Sequence, residues 1–274
     1  MSGTSRAALR AAAARVAFSA TLRLDAELLL AHALGITRER LLLTLDDHVV
    51  PPGFAALVER RAAHEPIAYI TGTRAFWTID LHVAPGVLIP RADSETLIEA
   101  AVAHFHGGEG PAQVLDLGTG PGTLLLAALD QWPRARGLGV DRSATAVALA
   151  RRNAAALGMT ERAVFAEGDW VDGVEGRFDL ILANPPYIAV AEHLPAEVAE
   201  FEPREALFAG VDGLDDYRRI APALPRLLAQ AGVACVEIGA TQADRAGALF
   251  RAAGLTTAVR QDLAGRDRCL VVTP

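Results

Sequence analysis

The segment "VLDLGTGPG", Val114 to Gly122, is the key to this chain's architecture. A buried-strand pattern opens into Gly118, Gly120 and Gly122, with Thr119 and Pro121 between them, immediately ahead of an apolar helical segment from Leu124 to Leu129. Glycines in a strand-to-helix loop let the backbone come close to a ligand, and the helix N-terminus beyond supplies free N–H groups. The loop departs from the dinucleotide pattern Gly-x-Gly-x-x-Gly, because Thr123 stands where the third glycine would be. A strand-helix turn in which the glycines serve packing alone is the competing reading. What the neighbouring strands carry decides between the two.

Downstream, strand and helix patterns alternate. "QVLDLG", "GLGVD", "AVFAEGD", "FDLILAN" and "GVACVEIG" read as strands, followed by two more near Thr257 to Gln261 and Arg268 to Val272, seven in all. Helical spacing runs from Ser143 to Leu157, near Asp215 to Leu228, and from Gln242 to Ala253. This is an α/β signature with a mostly parallel sheet. Asp93 is placed to cap the helix "SETLIEAAVAHF". Upstream, Ser5 to about Glu65 carries leucine and alanine at helical spacing, punctuated by Gly35 and Pro51-Pro52, and predicts a small helical bundle. "YITGTRAFWTIDLHVAPGVLIP", Tyr69 to Pro90, has aromatic and β-branched residues with glycine turns and predicts a β-hairpin linker. The expected organisation is therefore residues 1–68 helical, 69–90 linker, and 91–274 the α/β domain.

The bulk properties narrow the function. A chain of 274 residues with 51% hydrophobic composition has enough apolar material for a large domain and a smaller one. Its net charge of -7 disfavours the broad positive field of an avid nucleic-acid binder and favours a protein or small-molecule substrate. Cys235 and Cys269 lie in apolar strand-like settings and read as reduced core thiols, which fits a cytoplasmic protein. No apolar run reaches membrane-spanning length, and no membrane partner is expected. The seven histidines form no His-Glu-x-x-His pattern, and His104 and His106 beside "GGEG" read as a solvated helix end, so no metal is expected.

Four successive strand ends carry ligand-type residues. After the glycine loop, Asp141 ends the next strand, where a carboxylate can accept both hydroxyls of a ribose. It could instead cap the following helix, but Ser143 can do that itself. Asp169 follows the third strand, and Trp170 beside it offers a face for a purine ring. The fourth end runs into "NPPY", Asn184, Pro185, Pro186 and Tyr187. Asn-Pro is a common turn opener. Here, though, a carboxamide with both acceptor and donor stands on a stiffened backbone beside an aromatic face, able to grip a planar polar group. Open parallel sheets bind ligands at these carboxyl ends, and the set implies a nucleoside cofactor.

This order of motifs resembles the class I methyltransferases that use S-adenosylmethionine to methylate planar NH2 nitrogens. Within them the chain is most similar to the peptide chain release factor glutamine methyltransferases, the HemK/PrmC family. The similarity extends to "GVLIPRADSETLIEAA", "EVAEFEPREALFAGVDGLDDYRRI" and "AGRDRC". Pro121, Ala92 and Ser94 depart from the residues more usual there. The resemblance implies a Rossmann-like domain and methyl transfer to the side-chain nitrogen of the glutamine in a release factor's Gly-Gly-Gln motif. Gly118 to Gly122, Asp141, Asp169, Trp170 and Asn184 would hold the cofactor, and Asn184 with Pro185, Pro186 and Tyr187 the substrate. Glutamine's nitrogen is a poor nucleophile, so acceptors such as the Asn184 side-chain oxygen and the Pro185 carbonyl would have to orient it. The N-terminal helices would recognise the protein substrate. A monomer that makes no direct nucleic-acid contact is expected. An exocyclic-amine methyltransferase of DNA or RNA is the alternative enzyme, and a non-catalytic nucleoside-binding protein the alternative outside enzymes.

Overall fold

The chain divides into two units. One comprises residues up to Thr73 together with Leu194–Phe201, the other Arg74–His193 with Glu202–Pro274. The computed structural model describes residues 5–274, so the first four residues of the 1–68 segment lie outside the described part.

The first unit contains α1 (Ser5–Arg15), α2 (Leu22–Leu34), α3 (Arg38–Leu43), α4 (Phe54–Ala62) and α5 (Ile67–Thr71). Ala26, Leu29 and Leu30 of α2 share one face at i, i+3, i+4 spacing and pack with Ala12, Leu41, Phe54, Val58 and Ile70 from the other four helices. Gly35 ends α2 in the left-handed conformation at φ 65°. Arg61, buried on α4, donates to Asp25 at 2.8 Å and pairs at 2.9 Å with Glu197, which the Leu194–Phe201 segment contributes.

The second unit is built, in chain order, from β1 (Thr73–Phe76), β2 (Ile79–His82), α6 (Glu95–His104), β3 (Gln113–Leu117), α7 (Thr123–Gln131), β4 (Arg136–Asp141), α8 (Ala144–Ala156), β5 (Ala163–Glu167) and β6 (Phe178–Ala183). After α9 (Ala196–Ala199), which belongs to the first unit, come α10 (Asp215–Ile220), α11 (Leu224–Leu227), β7 (Leu228–Glu237), α12 (Ala243–Ala252), β8 (Thr256–Gln261) and β9 (Asp267–Thr273). Strands β1 and β2 pair with each other, and the other seven form one sheet in the order β5-β4-β3-β6-β7-β9-β8. Only β9 runs antiparallel to its neighbours.

Both faces of the sheet are covered, and alternate residues of each strand feed opposite cores. Val114, Leu180, Leu182 and Val233 face the core shared with α6, α7 and α8. Leu115, Leu117, Ile181, Ala183 and Ala234 face the core shared with α10, α11 and α12. Strand order reverses between β3 and β6, and their register pairs Leu117 with Ala183. The glycine loop and Asn184 therefore leave the sheet side by side, at the crevice where such sheets bind ligands.

Several expectations are corrected. Tyr69–Thr71 are the last turn of α5, so the hairpin starts at Thr73. Asp93 does not cap α6; it lies in a short 3-10 turn, and its carboxylate meets Arg268 at 3.3 Å. The helix expected to run unbroken to Leu228 is split into α10, a 3-10 turn and α11, with Pro222 and Pro225 each withholding a backbone N–H. Strand β7 begins earlier than "GVACVEIG", at Leu228, and is irregular before Val233.

Gly139 on β4 has no room for a side chain. A Cβ there would stand 2.7 Å from both Thr119 Oγ1 and a ring carbon of Phe165. A Gly139→Ala variant is therefore expected to lose about 1–3 kcal/mol of stability through overpacking, measured by chemical denaturation.

Candidate active site

The glycine loop is fixed by backbone and by one buried acid. Gly118 and Thr119 both donate from their backbone N–H to the Val140 carbonyl, at 2.9 and 3.0 Å. Asp116, 1% exposed, accepts from the Thr119 hydroxyl at 2.6 Å and from the Leu125 N–H at 3.2 Å through Oδ2. Its Oδ1 is buried and has no partner. Burial, opposed by those two hydrogen bonds, pushes the Asp116 carboxyl up to about 7. Gly118 is required twice over: its φ is 70°, and a Cβ would lie 2.9 Å from the six-membered ring of Trp170. Gly122 lies behind the loop as the N-cap of α7, where a Cβ would meet Leu126 at 2.8 Å. The Pro121 carbonyl accepts from Asn153 Nδ2 at 2.8 Å, and that buried amide also bonds both backbone groups of His82 at the end of β2.

The next two strand ends form the adjoining walls. Asp141 Oδ2 accepts from the Gly120 N–H at 2.8 Å and Oδ1 from the Ser143 N–H at 2.9 Å, while the Ser143 hydroxyl caps α8 by accepting from Ala146. Each carboxylate oxygen keeps a second lone pair for a ligand hydroxyl. Asp169 pairs with Arg219 at 2.6 Å, and the hydrogen bond from that guanidinium holds its carboxyl below the usual range. Trp170, at φ 55°, donates its indole N–H to Asp216 at 3.0 Å, and burial raises the Asp216 carboxyl.

Asn184 leaves β6 into a polar network that the sequence reading missed. Its Nδ2 donates to Ser94 Oγ at 3.2 Å, and Ser94 donates to Glu237 Oε2 at 2.5 Å. The Tyr187 hydroxyl donates to Glu237 Oε1 at 3.3 Å and accepts from Arg268 at 3.4 Å. Ser94 and Glu237 are 2% and 1% exposed, and burial pushes the Glu237 carboxyl up to about 7. The backbone of the Asn-Pro-Pro-Tyr loop is held as well, since Gln242 donates to the Tyr187 carbonyl at 2.8 Å.

A cavity of about 340 Å³ brings most of the expected residues together. Gly118, Thr119, Gly120, Pro121, Asp141, Asp169, Trp170, Asn184 and Pro186 line it; Gly122, Pro185 and Tyr187 do not. Asp116, Ser94 and Asp216 line it too, and none of them was expected. The signal for Asp116 was legible, an acid inside the apolar run of a central strand, and the same is true of Glu237 in "GVACVEIG". The residues fit the nucleoside cofactor implied by the sequence. The orphaned Asp116 Oδ1 is an acceptor in want of a donor, such as the ammonium of an amino-acid moiety, and Asp141 retains acceptor capacity for a ribose.

Comparison with known proteins gives consistent results. Residues 7–72 match the family model of the PrmC N-terminal domain, and residues 93–201 that of the methyltransferase small domain. The chain is 48% identical over 256 residues to the release factor glutamine methyltransferase of Rhodospirillum rubrum, covering 91% of this chain and 78% of that one. It is 45% identical over 269 residues to the protein of the same name from Cereibacter sphaeroides, covering 95% of each. Among solved structures, a methyltransferase from Pyrococcus furiosus superposes with a TM-score of 0.55 at 16% identity, covering 80% of this chain and 95% of that one. A Thermus thermophilus 16S rRNA N2 G1207 methyltransferase does so with a TM-score of 0.53 at 20% identity, covering 73% and 49%. At these identities the structures show the fold alone.

The raised Asp116 carboxyl has a consequence for stability. The native state holds a proton that the unfolded state has released between about pH 4 and pH 7, so stability falls as pH rises through that window. An Asp116→Asn variant lacks this loss, so its Tm should gain on the wild type from pH 5 to pH 8 in the ligand-free protein. Its affinity for S-adenosylmethionine should drop by roughly tenfold to a hundredfold, the size of a lost hydrogen bond to a charged group. Thermal scans across pH and calorimetric titration measure the two effects.

Proposed function

The chain belongs to the family of release factor glutamine methyltransferases, and from that premise we propose how its residues transfer a methyl group from S-adenosylmethionine to the side-chain nitrogen of a glutamine in a release factor. The observation that carries the reading is the shared mouth of the cavity, where the glycine loop and Asn184 emerge from paired strands. S-adenosylmethionine supplies an electrophilic methyl group on a sulfonium sulfur. Asp116 and Asp141 would hold its polar ends, with Trp170 against the purine. The glutamine amide nitrogen must give up part of its resonance to attack, and its two N–H bonds become more acidic as it does so. Asn184 Oδ1 would accept one and the Pro185 carbonyl the other, so that the acceptors strengthen their hold as positive charge develops, and the methylated nitrogen would then give up one of these two protons to solvent. The stiff Pro185-Pro186 backbone keeps those acceptors in place. Tyr187 would act through the loop, because its hydroxyl is engaged by Glu237 and Arg268.

Release factor recognition is assigned to the first unit. Several of the chain's exposed large apolar residues cluster in its sequence, with Leu43 84% and Val49 76% exposed. Apolar side chains left in water on a small helical unit are what a protein partner would cover. No helix among the described residues is long and apolar enough to cross a membrane, and the site of action is read as the cytoplasm, where translation takes place.

Two measurements test this reading. An Asn184→Ala variant should lose at least a hundredfold in kcat while S-adenosylmethionine affinity changes by no more than a few-fold. Turnover near the wild-type value, at equal folded fraction, would contradict the role. A Leu43→Asp variant should raise KM for intact release factor by roughly tenfold and leave kcat alone, as loss of remote uniform binding does.

A further inference from the structure

A carboxamide is nearly symmetric in shape, and rotating Asn184 by half a turn exchanges its oxygen and its NH2 at little steric cost. The two orientations are opposite in chemistry. One presents an acceptor to an incoming NH2 group, whereas the other presents a donor that would repel it. Something has to select between them, and the residues behind Asn184 supply the selection.

Counting donors shows how. Arg268 has donors only, and it points Nη1 at the Tyr187 hydroxyl, 3.4 Å away. That hydroxyl has one hydrogen, which goes to Glu237 Oε1 at 3.3 Å. The ionised Glu237 carboxylate can only accept, so the single hydrogen of Ser94, 2.5 Å from Oε2, is taken up as well. Ser94 is then left with lone pairs alone facing Asn184, and the only group of the carboxamide that satisfies them is Nδ2, observed at 3.2 Å. We infer that Ser94 and Glu237 are positioning residues that fix the orientation of the Asn184 carboxamide, Nδ2 inward and Oδ1 toward the substrate. The inference rests on the reading that Asn184 Oδ1 accepts from the glutamine amide. Neither residue has to touch the glutamine for this. Both are buried, Ser94 at the edge of the cavity and Glu237 behind it at the end of β7.

The orientation of Asn184 depends in turn on pH. Protonated Glu237 could donate to Ser94, whose own hydrogen would then be free to turn to Asn184 and stabilise the wrong orientation. The charged and titratable groups around Glu237 are Asp93 in the 3-10 turn, Tyr187 in the loop, Tyr217 on α10, and Arg268 and Cys269 on β9. Arg268 is the positive charge among them and favours the carboxylate; Asp93 opposes it. Activity should therefore decline as pH falls below about 7, where Glu237 takes up its proton.

The test compares Ser94→Ala, Ser94→Thr, Glu237→Gln and Asn184→Ala in the full chain, with release factor as substrate and folded fraction checked by circular dichroism. Ser94→Ala and Glu237→Gln should each lower kcat by roughly tenfold to a hundredfold, with KM for release factor and affinity for S-adenosylmethionine within about threefold of wild type. Ser94→Thr, which keeps the hydroxyl, should restore kcat to within a few-fold. Glu237→Gln should also flatten the acid limb of the kcat profile, a result that loose packing would not produce. If Asn184→Ala is inactive while Ser94→Ala keeps wild-type kcat, the positioning inference is overturned and the role of Asn184 stands. If Asn184→Ala is as active as wild type, both fall. Should Glu237→Gln fail to fold, the Ser94 pair decides, because a hydroxyl-dependent kcat supports the inference and a hydroxyl-independent one overturns it.

Discussion

Parallel pairing of β3 with β6 is the constraint on which the rest of the molecule depends. Its register sets Leu117 opposite Ala183, so the next residues of both strands leave the sheet at one level. One exit carries the glycine loop and the other Asn184, and on the proposed reading that juxtaposition would set a methyl donor beside an acceptor for the receiving nitrogen. A slip of one residue would exchange the β6 side chains between the two cores and move Asn184 off the crevice. The register is secured from both faces, since Leu180 and Leu182 pack into one core while Ile181 and Ala183 pack into the other.

On that frame the site is arranged in two depths. Cavity residues face the ligands, and behind them sit two acids, Asp116 and Glu237, each at most 1% exposed and each with its carboxyl raised to about 7 by burial. Keeping an acid in an apolar core costs stability, and here both acids hold a hydroxyl next to a functional group. Asp116 holds Thr119 within the glycine loop, and Glu237 holds Ser94 behind Asn184. The buried acids thereby join the sheet's interior to the two groups that matter at its edge.

Much of this was legible in the sequence. Seven strands and their α/β alternation follow from periodicity and from glycine and proline punctuation, because those features depend on a few neighbouring residues. What escaped depends on distant ones. Asp93 reads as a helix cap by local rules, yet Arg268, far along the chain, draws its carboxylate away. Ser94 reads as an ordinary residue at a helix start until β7 brings Glu237 beside it. The break of the helix after Ile220 could have been read from Pro222 and Pro225, and the early start of β7 could not, because Leu228 joins the strand by pairing with Phe178. Asp116 and Glu237 each carry a signal that periodicity alone does not weigh, a lone acid in an apolar strand, where burial is costly.

On the proposed reading, a glutamine amide is received by an Asn184 carboxamide already oriented for it. The measurement that tests it most directly is a crystal structure of the protein with S-adenosylhomocysteine and a peptide carrying the release factor's target glutamine, at a resolution that distinguishes nitrogen from oxygen. The glutamine nitrogen is expected at about 3 Å from Asn184 Oδ1, hydrogen-bond distance, with Nδ2 still on Ser94 and Ser94 still on Glu237. A glutamine nitrogen bound away from Asn184, or an Asn184 whose oxygen faces Ser94, would contradict it.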